Sequence, residues 1–238
     1  MVDEPDNPLP KHYLAACTGV AIPDRAADAY VEAVFDSFAN SFDAKLASLT
    51  YRAPELVGVA VAAHCGPPLK NLDVLDAGCG TGLCGSYLSP FARRLTGVDL
   101  STQMLAKARA RGMFDELEKA ELTEFLRART AAFDLVVSAD TLCYFGALES
   151  VSSAACGVLR RDGLFAFTVE ALADDSSSDY KLHPHGRYSH RHDYVARVLR
   201  ETGFERTEIE PVDLRNENGK PVAGWLVTAR RAREPLAA

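Results

Sequence analysis

A chain of 238 residues, 47% hydrophobic and 25% charged, is long enough for one α/β domain with a full core. Its net charge of −7 argues against nonspecific nucleic-acid binding, and no apolar run is long enough to span a bilayer. Six scattered cysteines without a C-x-x-C pair, and Asp3, Glu4 and Asp6 where a signal peptide would be basic, set the expectation of a cytoplasmic protein with reduced thiols.

Residues 1–23 are Pro-rich and polar and are expected to form a partly ordered extension. From Asp24, placed as an N-cap, Tyr30, Val34, Phe38 and Phe42 recur at helical steps. On spacing alone this aromatic stripe reads as core more than as the underside of a lid. A second helix is predicted over Pro54 to Cys65, with Gly66-Pro67-Pro68 as its stop. Residues 24–66 then make a helical cap, and 67–238 the core of a single-domain protein.

Strands and helices alternate from there. Strands are predicted over Leu72–Ala77, Leu95–Asp99, Leu117–Ala120, Phe133–Ala139 and Leu164–Glu170. Helices are predicted over Leu83–Ala92, Ser101–Arg111, Leu122–Arg129 and Leu148–Arg160, the last leading into a turn at Arg161-Asp162-Gly163. After a polar insert come a helix over Arg191–Thr202 and strands over Glu205–Pro211 and Val222–Ala229, joined through Asn216-Glu217-Asn218-Gly219. The alternation predicts a mostly parallel, doubly wound sheet with an antiparallel last strand. A ligand then belongs at the carboxyl ends of the strands, where strand order reverses.

The first strand runs into Asp76-Ala77-Gly78-Cys79-Gly80-Thr81-Gly82. Strand, glycine turn and helix let backbone approach a ligand with no Cβ in the way. An overlapping G-x-G-x-x-G, Gly80 to Gly85, would suit a dinucleotide. An acid at Asp76 repels a pyrophosphate and suits an ammonium or a sulfonium. A bare tight turn is the third reading. Cys79 is a small residue fitted into the loop, with no neighbour to activate it.

Together with Gly97-Val98-Asp99-Leu100-Ser101, this loop resembles the first two motifs of class I S-adenosylmethionine-dependent methyltransferases. The resemblance implies a Rossmann-like, seven-stranded sheet with S-adenosylmethionine as cofactor and S-adenosylhomocysteine as product. It puts Gly78, Cys79 and Gly80 under the methionine half, with Asp76 ordering the loop or the amino group. Asp99 would hold both ribose hydroxyls, Leu100 and Met104 would flank the adenine, and Glu121 and Leu122 would edge it. Ser138, ending the fourth strand, would face the sulfonium. Leu100 and Met104 also read as plain core residues, and Asp99 as a surface acid.

Further segments, Tyr30-Val31 to Phe35-Asp36, Tyr51-Arg52-Ala53-Pro54, Gly186-Arg187-Tyr188-Ser189-His190 and Lys220-Pro221-Val222, resemble one subgroup. It comprises methyltransferases often fused to tetratricopeptide repeats and related to the methyltransferase-like proteins of the Williams–Beuren region. The repeats themselves are absent.

Methyl transfer from a sulfonium is an in-line displacement, and a base is needed only when the acceptor arrives protonated. Asp140 is a candidate base or anchor, or else a loop acid. Tyr144 and Phe145 wall an acceptor pocket or fill core. The Asn/Asp-Pro-Pro-aromatic signature of amino-group methylators of DNA and glutamine is absent after Ser138.

His183, His185, His190 and His192 crowd the segment after the fifth strand. A metal site there lacks a cysteine or a well-spaced acid. His190 and Tyr188 are the candidates for general base, and His183 and Arg187 for acceptor binding. A solvated loop is the alternative. The expected function is methylation of a small molecule, without nucleic-acid or membrane partners. The rivals are a non-catalytic sensor module and methylation of a protein or RNA.

Overall fold

The computed structural model describes residues 8–173 and 178–233. Among these, nine strands form one sheet. The strands are β1 (Leu72–Ala77), β2 (Ala92–Asp99), β3 (Glu116–Lys119), β4 (Phe133–Ser138), β5 (Leu159–Ala171), β6 (Tyr180–Leu182), β7 (Tyr188–His190), β8 (Phe204–Glu217) and β9 (Lys220–Arg231). The helices are α1 (Pro8–Thr18), α2 (Asp28–Phe38), α3 (Phe42–Ser48), α4 (Ala53–Cys65), α5 (Gly85–Leu88), α6 (Thr102–Arg111), α7 (Leu122–Arg127), α8 (Glu149–Val158) and α9 (His192–Glu201).

β3, β2, β1, β4 and β5 run parallel in that order, and β9 then β8 close the sheet antiparallel. These seven are the doubly wound, Rossmann-like sheet read from the sequence. The short hairpin β6–β7 is an addition, and β7 pairs with the end of β5 at Glu170 and Ala171. The central strands β1, β4 and β5 are buried on both faces over most of their length, so each contributes alternately to two cores. Val74, Leu135, Val137, Leu164 and Ala166 pack with Val57 and Val61 of α4 and Leu88 of α5. Leu75, Val136, Phe165 and Phe167 pack with Phe125 of α7, Val151 of α8 and Val195 of α9.

Several local expectations change. Asp24 is not a cap; its carbonyl accepts from Gly146 N and Ala147 N at 2.8 Å each. Helix α2 starts only at Asp28, and the predicted run to Phe42 breaks at residues 39–41. Within the expected cap of residues 24–66, α4 packs Val57 and Val61 against the sheet, whereas no described residue of α2 or α3 belongs to either large core. Helix α5 spans four residues; Pro90 donates no hydrogen bond and restricts Ser89 before it. Arg161-Asp162-Gly163 is a bulge inside β5 rather than a turn between elements. Pairing jumps from Phe133↔Leu159 to Leu135↔Leu164, and Asp162 sits at φ +63°.

The expectation of a partly ordered extension falls outside the described residues for 1–7. Residues 8–18 are helical, and His12 is buried. Its ring lies 4.1 Å from that of Tyr30, and Nε2 is 2.9 Å from the Gly186 carbonyl. His12→Ala should cost about 1–3 kcal/mol through the orphaned carbonyl, read as a lower denaturant midpoint at unchanged m-value.

Candidate functional site

β1 and β4 flank the point where strand order reverses, and a cavity of about 210 Å³ opens beyond their carboxyl ends. Its first wall is the glycine loop. Gly78 sits at φ +78°, and a Cβ there would strike the Thr141 side chain at 2.1 Å. Gly80, at φ +53°, has no atom within 4 Å of where a Cβ would stand. The loop therefore presses on the protein at one glycine and leaves open space at the next.

Asp99 ends β2 and fixes that loop. Its Oδ2 accepts from Gly80 N at 2.9 Å and its Oδ1 from Ser101 N at 2.8 Å. Burial raises its carboxyl above the ordinary range, and these amide donors work against the rise. Ser101 caps α6 by accepting from Met104 N at 3.0 Å. Beside them, Leu100, Ala120, Glu121 and Leu122 line the cavity. Glu121 caps α7 with Oε2, which accepts from Glu124 N at 2.8 Å. Its Oε1 is buried with no hydrogen-bond partner among the described residues.

The roof is α2 and α3. Phe35 and Phe42 line the cavity, with the Phe35 ring 5.8 Å from Phe42 and 5.4 Å from Tyr144. Polar contacts latch this roof down. Asp36 accepts from Ser101 Oγ, and Asp43 accepts from Thr81 Oγ1 at 2.6 Å and from Arg111 at 2.5 Å. Arg111 Nε also donates to the Thr81 carbonyl at 2.7 Å.

The far wall is charged. Asp140 follows β4 at φ +51°, a costly conformation for a side-chain-bearing residue. Thr168 holds it there, with Oγ1 accepting from Asp140 N at 2.9 Å and donating to Asp140 Oδ1 at 3.0 Å. Arg215 donates to Asp140 at 2.8 Å, to Glu217 at 2.7 Å and to Glu170. Arg187 donates to Glu170 at 2.5 Å and to Glu217 at 2.7 Å. Burial lifts the Asp140 carboxyl above its usual range, against the pull of Arg215. Burial also opposes the charge on Glu170, yet Arg187 and Arg215 hold that carboxyl below its usual range.

Of the residues singled out in the sequence, Gly78, Cys79, Gly80, Asp99, Leu100, Glu121, Leu122, Asp140, Tyr144 and Arg187 meet at this cavity. Phe145 lines it too, whereas Asp76, Met104, Ser138, His183, Tyr188 and His190 lie elsewhere. Met104 is fully buried in α6 packing rather than against the cavity. Asp76 lies beneath the loop, 1% exposed, with Oδ2 unpartnered among the described residues. Burial, with Asp99 nearby, pushes its carboxyl up to about 8. Ser138 is buried and donates to the Ala77 carbonyl at 2.9 Å.

The histidine-rich segment is architectural. His190 is fully buried, and its Nε2 donates to the carbonyls of Phe145 at 2.9 Å and Gly146 at 3.1 Å. Tyr188 is buried and donates to the Pro23 carbonyl at 2.7 Å. His183 reaches Ser189 Oγ at 2.7 Å and stacks on His185. None of His183, Tyr188 and His190 lines the cavity. Among the described residues no group of three His, Cys, Asp or Glu side chains is placed to hold a metal ion, and no helix is long and apolar enough to cross a membrane.

Sequence reasoning missed Arg25, Thr81, Tyr51, Arg215 and Glu217, all of which line the cavity. Arg215 and Glu217 had one signal: two opposite charges two positions apart, facing the same way along a strand.

Comparison with known proteins agrees with this geometry. A methyltransferase-domain family model matches residues 75–167. A malonyl-[acyl-carrier protein] O-methyltransferase of Geobacter sulfurreducens is 32% identical over 197 residues, covering 68% of this chain and 73% of that protein. Human methyltransferase-like protein 27 is 36% identical over 140 residues, covering 58% of this chain and 56% of that one. The chain spans about half the length of several curated relatives it matches. Among solved structures, a Burkholderia thailandensis 1,6-didemethyltoxoflavin-N1-methyltransferase with bound S-adenosylhomocysteine shares the fold. Its TM-score is 0.65 at 22% identity, over 90% of this chain and 93% of that one. The chain belongs to the class I S-adenosylmethionine-dependent methyltransferases.

Two outcomes test the placements. Asp43→Ala should speed amide hydrogen exchange across residues 42–52 while moving the global unfolding midpoint little, because a surface ion pair contributes about 0–1 kcal/mol. Burial holds the His190 imidazole down to about 4, below its unfolded value near 6.5. The unfolded chain then binds more protons between those values, so stability is lost as pH falls from about 6.5 towards 4. Thermal melts of His190→Gln should show a shallower acid loss, by up to about 1.4 kcal/mol per pH unit.

Proposed function

We propose that the protein methylates a small molecule held in the charged, aromatic half of its cavity, beside S-adenosylmethionine in the other half. The cofactor half fits on three observations. The loop leaves open space at Gly80 where any Cβ would stand. Asp99 reaches the cavity with both oxygens oriented by backbone amides, so the remaining lone pairs suit a pair of ribose hydroxyls. The Glu121 Oε1, without a hydrogen bond among the described residues and 3.9 Å from the Arg25 guanidinium, suits an amino group on the adenine edge. Bound there, the cofactor supplies an electrophilic methyl on a sulfonium and departs as a neutral thioether.

The observation that carries the reading is the roof. Asp36 and Asp43 tie α2 and α3 onto α6 and the glycine loop, leaving about 210 Å³ beneath them. A concave site roofed by two helices suits a small acceptor better than a folded polymer. Exclusion of water there strengthens every charge interaction at the sulfonium. Alignment of acceptor and methyl group can supply much of the catalysis, in favourable systems about 7–11 kcal/mol. Asp140, at the end of β4 with a raised carboxyl, is the base for an acceptor that arrives protonated. The names of the relatives range from an acyl-carrier-protein substrate to 18S rRNA, so they leave the acceptor open. Similarity to human methyltransferase-like protein 27 supports the narrower subgroup assignment.

Radiolabel from S-adenosylmethionine should enter the small-molecule fraction of a lysate. Label only in protein or RNA, or no S-adenosylhomocysteine release at all, would sink this reading. Asp99→Asn should weaken S-adenosylmethionine binding by calorimetry by about 1.5–3 kcal/mol, through lost charge-assisted hydrogen bonds.

A further inference from the structure

The far wall of the cavity narrows the acceptor, on the assumption that the cofactor half is read correctly. Arg215 is 4% exposed at its side chain and spends all three nitrogens on Asp140, Glu170 and Glu217. Arg187 gives Nε and Nη2 to Glu170 and Glu217. Three carboxylates thus face two guanidiniums. Burial and the nearby Arg187 lower the pKa of His185, whose Nε2 lies 3.7 Å from Glu170 Oε2, and so disfavour its charged form. An incoming carboxylate would find the guanidinium donors engaged and the surroundings negative. It would have to displace an internal partner and leave that partner buried and unpaired, which is expensive.

A cation meets the opposite conditions. Glu217 Oε2 accepts from no described residue, and the Glu170 carboxylate is shared between both guanidiniums. Around this wall stand the rings of Phe35, Tyr51 and Tyr144. Aromatic faces attract a desolvated cation. A third guanidinium lining the cavity, Arg25, is itself paired with Asp28 and lies 3.9 Å from Glu121.

We propose that the methyl acceptor is a nitrogen base that enters as an ammonium, held between the Asp140–Glu217 carboxylates and the aromatic wall of Phe35, Tyr51 and Tyr144. Before reaction the ammonium gives one proton to Asp140 and from there to water. The freed lone pair forms the N–C bond as the S–C bond breaks. The electrons of that bond stay on sulfur, and the positive charge ends on the methylated nitrogen.

The test uses three matched probes, 2-phenylethylamine, 2-phenylethanol and 3-phenylpropanoate, titrated calorimetrically into the full chain saturated with S-adenosylhomocysteine. The amine should bind at least about tenfold more tightly than the carboxylate, with the alcohol between them. Glu217→Gln, a conservative change at a half-buried site, should shrink that ratio several-fold while S-adenosylhomocysteine binding persists. A carboxylate bound as tightly as the amine, no binding by any probe, or a ratio untouched by Glu217→Gln would overturn the proposal. Failure of S-adenosylhomocysteine itself to bind would instead strike the cofactor reading.

Discussion

One carboxylate organises this end of the molecule. Asp99 stands at the tip of β2 and accepts from Gly80 on one side and Ser101 on the other. The glycine loop needs left-handed backbone, and flexible backbone is held in place only when something over-determines it. Asp99 is that constraint. The chain of contacts continues outward, because Ser101 donates to Asp36 of the roof while accepting from Met104 N. Loop, helix cap and roof are therefore joined through two side chains. A second tie, Thr81 to Asp43 to Arg111, repeats the link from loop to roof. A ligand that presses on Gly80 acts on all three parts together.

The sheet and the cofactor half were legible because each left a local signature. Val74-Leu75 and Phe133 to Ser138 are buried on both faces, so their apolar runs show in sequence without tertiary knowledge. The loop glycines, Asp99 and the Ser101 cap follow from turn and cap chemistry within a few residues. The acceptor half was less readable because its members come from distant strands. Arg215 meets Asp140 across a separation of 75 residues, and no spacing rule reports such a meeting. The histidines misled for a related reason. Four of them in one segment suggested proton chemistry, but His190 was needed to cap the carbonyls of Phe145 and Gly146. A buried imidazole donating to backbone and one attacking a substrate look the same in a string of letters. The bulge at Asp162 was likewise mistaken for a turn, since Asp-Gly is good chemistry for both.

The ion cluster makes poor sense as a device for stability. Burying charges costs several kcal/mol per ion, and well-packed apolar residues often serve as well or better. Here five charged side chains, Asp140, Glu170, Arg187, Arg215 and Glu217, are drawn from two strands and two loops and held by direct hydrogen bonds. The cluster includes Asp140, whose φ is positive. Strain and buried charge converge on one wall of one cavity, which is where a fold tolerates both for the sake of chemistry.

The position of that wall also explains its sign. A sulfonium bound in this cavity would bring positive charge beside buried carboxylates, where Coulomb interactions are less screened than in water. Had the guanidiniums been in excess, they would have repelled it. With three carboxylates against two guanidiniums the wall is net negative, which suits the sulfonium and still leaves each arginine with partners. The arginines then serve to fix the carboxylates in place rather than to seize an anion. Arg215, with a carboxylate on each of its three nitrogens, spaces Asp140, Glu170 and Glu217 around one planar group. A lysine could not hold three acids in a plane, and an apolar residue would leave them to repel one another. The charged wall of the cavity owes its shape and its charge to that one guanidinium.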